Sequence, residues 1–599
     1  MNRIKTLPRR AWLTWILLAE TAVIFSLISL ALDSWNGVGW NATPALFLLN
    51  TLPVFLTLAV LWLATGQAWL ACLITGTLHF LLTGANYFKL LFRDDPMVWG
   101  DLHRLREGIE MSAQYDVRFT PLMWGWIAFI AGMSLILLLL GRGRPGPLGR
   151  LLGLTACGLA LVICFYDVCP DNDRYSALVA DHAGNRTEAY AACGVVYPFL
   201  HSAGDYMGLT RRFDAQAGKE VMDRYEDADI PADRRVNLIG IQLEAYADFS
   251  VFDVDGLSED VYRPFHQLLE ESYHGDLITD IFAGGTTETE WAVLTGGNIH
   301  GDFKVKTDSV AWYMKDQGYT VNGSHPCRDW FYDRKHVNPN LGLEDYLFTD
   351  NYYYQFIAPG VDVAYDDVFF PDLMERLDAY FRENDAPLFS FNVTYQGHGP
   401  YNMEKVYWGD QYCTGDYPRR VRNALNNYFH VIQNTNENLA RFTEYLDGLE
   451  EPVVLFLYGD HKPWMGNAGA FYANLGISLD TSTEEGFRNY YTTFYLVWAN
   501  QAAKTAVNWD LTGQGPDLSP CFLMDHVFRL CGWEGSAYMQ AQRETAVGVP
   551  VLHTTGWVEE TDGVLSTEIS PAGQSLIERF QNVSLYDRHR FDPGRGGGS

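Results

Sequence analysis

The first third of the chain contains five long apolar stretches, and they constrain its fold more than any other feature. A helix needs about 20 mostly apolar residues to cross the hydrocarbon core of a bilayer. Stretches of about that length lie at 12–32, 44–65, 68–87, 121–140 and 150–168. We therefore expect residues 1–168 to form a polytopic α-helical membrane domain with five spans, for which the lipid bilayer is a partner.

The positions of the basic residues predict which way these spans run. Lys and Arg concentrate in cytoplasmic loops. Here they precede the first span and separate the fourth span from the fifth, at Arg3, Lys5, Arg9, Arg10, Arg142, Arg144 and Arg150. With five spans both segments lie on one side, so everything after about Cys169 is expected outside the cell. The first span begins like a signal peptide, but its length and the spans that follow it indicate an uncleaved anchor.

Charge and cysteine content narrow the function of the part outside. The formal net charge is −30, and because the inner loops are basic, the negative charge belongs to the outer part. Such a surface repels nucleic acid, so we expect no nucleic-acid partner. The nine cysteines form no paired CxxC metal pattern. Cys521 and Cys531 are a candidate disulfide by their proximity in the sequence alone.

Residues 169–235 are polar, and their pattern predicts a helical connector between the membrane domain and the outer domain. Helical stretches are expected near 186–204 and 214–226. Within it, Ala189-Tyr190-Ala191 has the small-x-small form of a signal-peptidase site, and an ordinary helix face is the alternative.

From 236 to 590, apolar strand-like runs alternate with amphipathic helical patterns, which indicates an α/β domain with a largely parallel sheet. The most strand-like runs are 236–243, 387–394, 452–458 and 491–498. The Gly-rich residues 591–599 are expected to be a flexible tail.

Ionisable side chains follow three of these four runs. Glu244 follows the first run, His398 comes shortly after the second, and Asp460 and His461 directly follow the third. Ligands gather at the carboxyl ends of the strands in open α/β sheets, so we expect these side chains to converge. Two carboxylates and an imidazole suit a divalent cation such as Mn²⁺, Zn²⁺ or Mg²⁺. The alternative for each residue taken singly is a helix cap or a solvated turn.

The run AlaGlyGlyThrThrGluThrGluTrp at 283–291 supplies a matching nucleophile. Gly284 and Gly285 allow backbone angles that bulky residues resist, and they let a phosphate approach closely. A helix that starts after them places Thr286 at its N-terminus, where amide donors favour an anion. Coordination to a divalent ion activates a threonine hydroxyl. The expected metal ligands are therefore Glu244, Thr286, Asp460 and His461. An ordinary helix cap is the alternative for the same residues.

These motifs resemble those of the membrane-anchored phosphoglycerol transferases of the lipoteichoic acid synthase type, in the alkaline phosphatase and sulfatase superfamily. GlnLeuGluAlaTyr at 242–246, the run from 283 to 296 and TyrGlyAspHisLysPro at 458–463 are similar to the family's metal-ligand strand end, nucleophile segment and Gly-Asp-His motif. The resemblance extends from the five spans to the tail and implies a sulfatase-like fold. It assigns the nucleophile to Thr286 rather than Thr287. It also implies one divalent metal ion, Mn²⁺ before Mg²⁺ or Zn²⁺.

Two further segments resemble substrate-binding parts of that family. ThrTyrGlnGlyHisGlyProTyr at 394–401 implies that His398 faces the substrate and takes part in catalysis. HisProCysArgAspTrpPheTyrAspArg at 325–334 implies phosphoglycerol-binding roles for His325, Tyr332 and Arg334, the last through a bidentate fork. Asp333 replaces an Asn of the family, which predicts an added negative charge near the phosphate site.

The resemblance implies a two-step phosphoryl transfer at the outer face of a bacterial cell membrane. Thr286 would take phosphoglycerol from phosphatidylglycerol, and a growing polyglycerolphosphate chain, as in lipoteichoic acid, or a glycolipid would accept it. The alternatives are transfer of phosphoglycerol or phosphoethanolamine to another surface glycan, and a catalytically silent receptor with a sulfatase fold. The related formylglycine sulfatases use the Cys or Ser of a Cys/Ser-x-Pro-x-Arg segment, whereas a threonine nucleophile suits phosphoryl chemistry.

Overall fold

The computed structural model divides the chain into two compact units, Met1–Arg212 and Phe213–Ser599. The structure describes residues 7–35, 43–93, 96–104, 117–141, 143, 145–179, 186–206, 214–298, 303–466 and 469–591. Four of the basic residues that predict the orientation fall outside these ranges, namely Arg3, Lys5, Arg142 and Arg144. The predicted tail also lies outside them, apart from its first residue. The orientation of the spans stays a prediction.

The five predicted spans are confirmed as helices of the N-terminal unit. They are α1 (Leu7–Trp35), α2 (Pro44–Thr65), α3 (Ala68–Arg93), α4 (Pro121–Leu140) and α5 (Pro147–Ile163). A π-helical turn at Cys164–Val168 continues α5, and each of the five is long and apolar enough to cross a membrane. α3 extends past its predicted end because Phe88, Leu90 and Leu91 continue its apolar sequence.

The predicted connector is divided between the two units. Its first part forms α6 (Asn172–Val179), α7 (Arg186–Cys193) and α8 (Val196–Tyr206). The Asn50 side chain on α2 holds this part, because it donates to the Cys193 carbonyl at 2.7 Å and accepts from the Val196 amide at 3.0 Å. The triplet Ala189-Tyr190-Ala191 is helical, within α7. The second part, with α9 (Ala215–Met222), belongs to the C-terminal unit.

The C-terminal unit is built on an eight-stranded sheet. Its strands are β1 (Asn237–Leu243), β2 (Tyr273–Ile278), β3 (Thr320–Ser324), β4 (Asp345–Leu347), β5 (Leu388–Val393), β6 (Val453–Gly459), β7 (Thr492–Ala499) and β8 (Gly513–Gln514). Their order is β4-β3-β5-β1-β6-β7-β2-β8. The first five in that order run parallel, and β7 runs antiparallel to both its neighbours. The predicted α/β fold with a largely parallel sheet is confirmed, and the last of the four predicted runs is the antiparallel β7.

Helices cover both faces of this sheet. Along β1, Ile239, Ile241 and Leu243 pack into the core on one face, and Leu238 packs into the core on the other. The helices are α10 (Arg263–Glu270), α11 (Thr286–Thr295), α12 (Val310–Asp316), α13 (Arg334–Asn340), α14 (Asp366–Glu383), α15 (Arg419–Asp447), α16 (Ala470–Asn474), α17 (Glu484–Tyr491), α18 (Gln501–Val507), α19 (Pro520–Leu530), α20 (Ala537–Gly548) and α21 (Pro571–Arg590). A small antiparallel sheet contains β9 (Val551–Leu552), β10 (Val558–Glu559) and β11 (Leu565–Ser566).

The candidate disulfide between Cys521 and Cys531 is not formed, and that prediction is wrong. Both residues are buried free thiols. Cys521 lies in the first turn of α19 and Cys531 directly follows its last residue. At 1.5 Å rise per residue their Cα atoms are about 15 Å apart along the helix, well beyond the reach of a disulfide.

Gly240 in the central strand provides a test of this packing. A Cβ atom added there would lie 2.2 Å from Cζ of Phe456 in β6. We expect Gly240→Ala to lower the stability of the full-length protein in detergent by about 1–3 kcal/mol, the usual effect of overpacking. Thermal unfolding measures it, with Gly448→Ala as the control, because a Cβ at Gly448 meets nothing closer than 3.4 Å. Equal melting temperatures for the two variants would contradict the packing.

Asp366 at the start of α14 predicts a pH dependence of stability. Burial raises the pKa of its carboxyl from 3.8 to about 7, although Thr435 donates a hydrogen bond to it. The folded state therefore holds this proton more tightly than the unfolded state. The resulting stabilisation is complete below about pH 4 and is lost as the pH rises through about 7.

Asp366→Asn stays neutral at every pH. Its melting temperature relative to the wild type should therefore rise between about pH 4 and pH 7. The neighbouring Asp367 is the control, since a hydrogen bond from Asn438 lowers its pKa. Asp367→Asn should show no rise across that range. A constant difference for Asp366→Asn would show that this carboxyl does not titrate as described.

Candidate active site

Three buried side chains with metal-binding atoms meet at the carboxyl edge of the parallel strands. Glu244 follows β1, and Asp460 and His461 follow β6. β1 and β6 pair in parallel register up to Leu243 and Gly459, so the two strands end side by side. One ligand atom from each of the three side chains lies within 4.8 Å of the others. The convergence expected from the strand ends is therefore present for these residues.

Asp460 and His461 each use one side-chain atom in a hydrogen bond to the backbone, and each has a second side-chain atom available for a metal ion. Asp460 Oδ1 accepts from the amides of Ala245 and His461, both at 2.8 Å. His461 Nδ1 lies 2.9 Å from the Lys462 carbonyl, so Nδ1 carries the proton and Nε2 holds a lone pair. Asp460 Oδ2 and His461 Nε2 are buried without a hydrogen bond among the described residues, and they lie 3.4 Å apart.

These features fit a divalent cation. Burial of a carboxylate without a counter-charge is unfavourable, and burial raises the pKa of Asp460 despite the nearby His461. His461 Nε2 also lies 3.8 Å from Glu244 Oε1. Two carboxylate oxygens, an imidazole nitrogen and a hydroxyl form a mixed set that Mn²⁺, Zn²⁺ or Mg²⁺ can use. A cation at this point would satisfy all of these atoms together.

Thr286 is the hydroxyl of that set. The chain reaches it through Gly284 and Gly285, whose φ angles are 144° and 91°. Thr286 is the first residue of α11, and its hydroxyl donates to Glu244 Oε2 at 3.0 Å. The preceding residue, Gly285, is the N-cap and has no side chain with which to cap the helix. The Thr287 hydroxyl, by contrast, is buried without a hydrogen bond among the described residues.

A buried polar chain fixes the backbone of Thr286. Tyr458 on β6 donates through its hydroxyl to Gln242 Oε1 at 2.7 Å. The Gln242 amide in turn lies 3.3 Å from the Thr286 carbonyl. Thr289 on the next turn donates to the Asp460 carbonyl at 2.8 Å. The supporting roles of these three residues were not predicted, although all three occur in the motifs that carry the resemblance.

The two predicted substrate histidines are both held through Nδ1. His325 follows β3, and its Nδ1 lies 3.0 Å from the Val393 carbonyl. Burial and the nearby charge of Arg334 lower the pKa of His325, which keeps its ring neutral. The Nδ1 of His398 lies 2.5 Å from the Gly399 carbonyl, and its ring stacks on Tyr395 with centroids 5.0 Å apart. The tautomers follow from these partners.

Arg334 is engaged differently from the prediction. Both its side chain and that of Glu290 are 0% exposed. Nη2 of Arg334 lies 2.6 Å from Glu290 Oε2, and Nε lies 3.1 Å from the same oxygen. The fork is therefore occupied by Glu290, and Nη1, buried without a hydrogen bond among the described residues, remains for another acceptor. The Tyr332 ring centroid lies 5.4 Å from the guanidinium carbon.

The added negative charge expected at Asp333 does not lie in this buried patch. The Asp333 side chain is 62% exposed and pairs with Nδ1 of His336 at 2.6 Å. Tyr332 and Asp333 both have positive φ angles, 56° and 54°. This turn leaves Tyr332 buried while the Asp333 carboxylate reaches the surface.

The Ser-x-Pro-x-Arg pattern of the formylglycine branch also occurs in this chain, at 324–328. Its Ser324 is fully buried at the end of β3. The hydroxyl lies 2.7 Å from Asn392 Oδ1 and 3.0 Å from Nη2 of Arg376. The Ser324 hydroxyl is thus held by two hydrogen bonds inside the domain. The hydroxyl that contacts Glu244 belongs to Thr286 instead.

Comparison with known proteins identifies the domain. Residues 247–530 match the family model described as Sulfatase, so the C-terminal unit carries a sulfatase-family domain. A "Putative cyclic beta-1,2-glucan modification protein" of Rhizobium meliloti (strain 1021) is 23% identical over 568 residues, covering 87% of this chain and 84% of that protein.

Two solved structures are also similar. The Streptococcus pyogenes phosphoglycerol transferase GacH in complex with sn-glycerol-1-phosphate has 16% identity and a TM-score of 0.45, over 62% of this chain and 93% of that chain. The lipooligosaccharide phosphoethanolamine transferase A (EptA) from Neisseria meningitidis has 11% identity and a TM-score of 0.46, over 86% of this chain and 95% of that chain.

The candidate metal site predicts a stabilisation that depends on Asp460. A ligand that binds only the folded state at 100 times its Kd stabilises it by about 2.7 kcal/mol. We expect Mn²⁺ to raise the melting temperature of metal-stripped wild type, and Asp460→Asn to lose most of that rise. Asp333→Asn, which alters an exposed carboxylate, should keep it. Equal Mn²⁺ shifts in the two variants would place the ion elsewhere.

Proposed function

We propose that this chain, which carries a sulfatase-family domain behind five candidate membrane spans, transfers phosphoglycerol from phosphatidylglycerol to a hydroxyl of a surface glycan. The domain would stand outside the cell membrane, where it meets the headgroups of the outer leaflet. Tethering by five helices would keep the site near its lipid donor, which raises the effective concentration of that donor.

One observation carries this proposal. The Thr286 hydroxyl donates to Glu244 Oε2 at 3.0 Å beside Asp460 Oδ2 and His461 Nε2, two buried atoms without hydrogen bonds among the described residues. A threonine hydroxyl is a weak nucleophile until a base or a metal lowers its pKa. A divalent cation, Mn²⁺ in our proposal, would supply that activation and offset charge on the phosphate. Glu244, Thr286, Asp460 and His461 would hold it.

The first step transfers phosphoglycerol to the protein. Thr286 Oγ1 attacks phosphorus, and the bond from phosphorus to the diacylglycerol oxygen breaks. The hydroxyl proton of Thr286 passes to Glu244 Oε2, to which it already donates. His398, as an imidazolium that also carries a proton on Nε2, gives this proton to the departing diacylglycerol oxygen and becomes neutral. The N-terminus of α11 places backbone amides and the positive end of the helix dipole beside the phosphate.

The second step reverses the roles. An acceptor hydroxyl attacks phosphorus, and the bond from phosphorus to Thr286 Oγ1 breaks. The acceptor's proton passes to His398, and Thr286 recovers its own proton from Glu244. Each turnover thus returns every side chain to its starting state.

The predicted substrate patch favours a polyol headgroup over an ammonium one. His325 is neutral because burial lowers its pKa, so its ring can accept a hydrogen bond from a glycerol hydroxyl. Asp333 is adjacent to this patch in the sequence, and its carboxylate pairs with His336. Glu290 contacts the patch in the folded domain, and its carboxylate pairs with Arg334. An ethanolamine ammonium would need such a carboxylate as its partner, whereas glycerol does not.

The acceptor is proposed to be a glycan rather than a growing polyglycerolphosphate chain. The relative from Rhizobium meliloti, which aligns along most of both chains, has the description "Putative cyclic beta-1,2-glucan modification protein". A glucan also presents neutral hydroxyls, which the strongly acidic protein does not repel.

Thr286 provides the first test of this chemistry. We expect full-length wild type with Mn²⁺ to release diacylglycerol from a fluorescent phosphatidylglycerol in micelles. Thr286→Ala should reduce release at least about 1,000-fold, since it removes the attacking oxygen. Thr286→Ser keeps that oxygen and should retain measurable release. An active Thr286→Ala protein would show that the nucleophile is another residue, and inactive wild type would contradict the proposed reaction.

The acceptor is tested in the same assay by parallel additions of a neutral glucan and a polyglycerolphosphate glycolipid. We expect the glucan to gain phosphoglycerol, as measured by the mass of the product. Transfer to the glycolipid alone would restore the lipoteichoic acid assignment. Release from phosphatidylethanolamine in place of phosphatidylglycerol would instead change the donor.

A further inference from the structure

The ion pair between Glu290 and Arg334 is buried more completely than stability alone requires. Both side chains are 0% exposed, and Arg334 meets Glu290 through Nε and Nη2. Taking two charges out of water is unfavourable, and apolar residues of similar volume often stabilise a fold as well or better. A pair of this kind is therefore a candidate for a positioning role.

The pair joins the two parts of the site that must act on one phosphate. Glu290 lies four residues after Thr286 on α11, so the two side chains project from the same face of the helix. Arg334 begins α13, directly after the buried Tyr332 turn. The salt bridge therefore links the helix that carries the nucleophile to the predicted substrate patch.

The guanidinium is satisfied on one side only. Nη1 of Arg334 is buried and has no hydrogen bond among the described residues. An unpaired charged donor in the interior is unfavourable, so this atom calls for an acceptor. Arg334 also lies close enough to His325 for its charge to lower that histidine's pKa. Nη1 is thus a part of the arginine left for a substrate oxygen.

We infer that Glu290 is a positioning residue, which holds Arg334 so that Nη1 meets a non-bridging oxygen of the transferred phosphate. This inference rests on the proposed function. Glu290 touches Arg334 and not the phosphate, and it sets the distance between that contact and Thr286 Oγ1 through the rigid α11. A lysine in place of Arg334 has a single ammonium group instead of a planar guanidinium. It cannot bind Glu290 and the phosphate through separate nitrogen atoms.

A purely structural pair makes different predictions. If Glu290 only fastened α13 to α11, its loss would lower stability and leave the KM of the folded molecules unchanged. If Glu290 positions Arg334, substitution of Glu290 should instead raise the KM for the phosphodiester donor. This rise in KM should occur only when Arg334 is present.

The test is a double-mutant cycle with full-length protein, Mn²⁺ and fluorescent phosphatidylglycerol in micelles. We expect Glu290→Gln to lower kcat/KM by roughly 10- to 100-fold, mainly through KM, because a misplaced contact has effects of that size. In an Arg334→Lys background, Glu290→Gln should have less than about a third of that effect, since interacting residues are non-additive. Glu290→Asp, which keeps the charge on a shorter chain, should fall between wild type and Glu290→Gln.

A matched control separates positioning from stability. Asp525 on α19 is also buried and pairs with Arg543 at 2.9 Å and Arg529 at 3.1 Å. Asp525→Asn should lower the melting temperature without raising KM. If Glu290→Gln alone does not fold, guanidinium ion added to Arg334→Ala provides the second readout. It should restore part of the release in Arg334→Ala and none in the double variant Arg334→Ala/Glu290→Gln, which leaves no unpaired buried charge.

Three results would overturn the inference: a wild-type KM in Glu290→Gln, fully additive effects in the Arg334→Lys background, or rescue by guanidinium that does not need Glu290. Wild type that releases no diacylglycerol is a different outcome. It removes the proposed function, and with it the premise of this inference.

Discussion

The candidate site depends on the parallel pairing of β1 with β6. Their register brings Leu243 opposite Gly459, so the next residues of each strand, Glu244 and Asp460, leave the sheet together at its carboxyl edge. Parallel strands all end at the same edge, and this is why residues more than two hundred positions apart can share one ion. The antiparallel β7 next to β6 ends at the opposite edge, and it supplies none of the candidate metal ligands.

The proposed nucleophile, Thr286, lies at the same edge, but a different local feature of the backbone positions it. Two glycines with positive φ angles turn the chain so that α11 starts at Thr286. The hydroxyl then lies beside Glu244, and the helix N-terminus faces the space in which a phosphate would bind. Tyr458 on β6 and Gln242 on β1 form a hydrogen-bonded chain to the Thr286 carbonyl. This chain connects the start of the helix to the strands that precede the candidate metal ligands.

Much of this arrangement could be predicted from the sequence because it depends on local patterns. The five spans are long apolar runs, and the strands that carry Glu244, Asp460 and His461 are apolar runs that end in ionisable residues. Side-chain partners across the fold could not be predicted in that way. The sequence predicted that Arg334 binds a phosphate through a bidentate contact. The salt bridge between Arg334 and Glu290 became visible only in the tertiary structure. The exposed position of Asp333 follows from two positive φ angles, and the separation of Cys521 from Cys531 follows from the length of α19.

The central claim is that Thr286 carries the transferred group, and a trapped adduct tests it most directly. Wild-type protein would be incubated with phosphatidylglycerol and Mn²⁺ in the absence of an acceptor, then denatured and digested. The mass of the peptide that contains Thr286 would be measured by mass spectrometry. The account predicts an increment of one phosphoglycerol unit on Thr286, absent from Thr286→Ala. Diacylglycerol release with an unmodified Thr286 peptide, or an adduct on another residue, would contradict it.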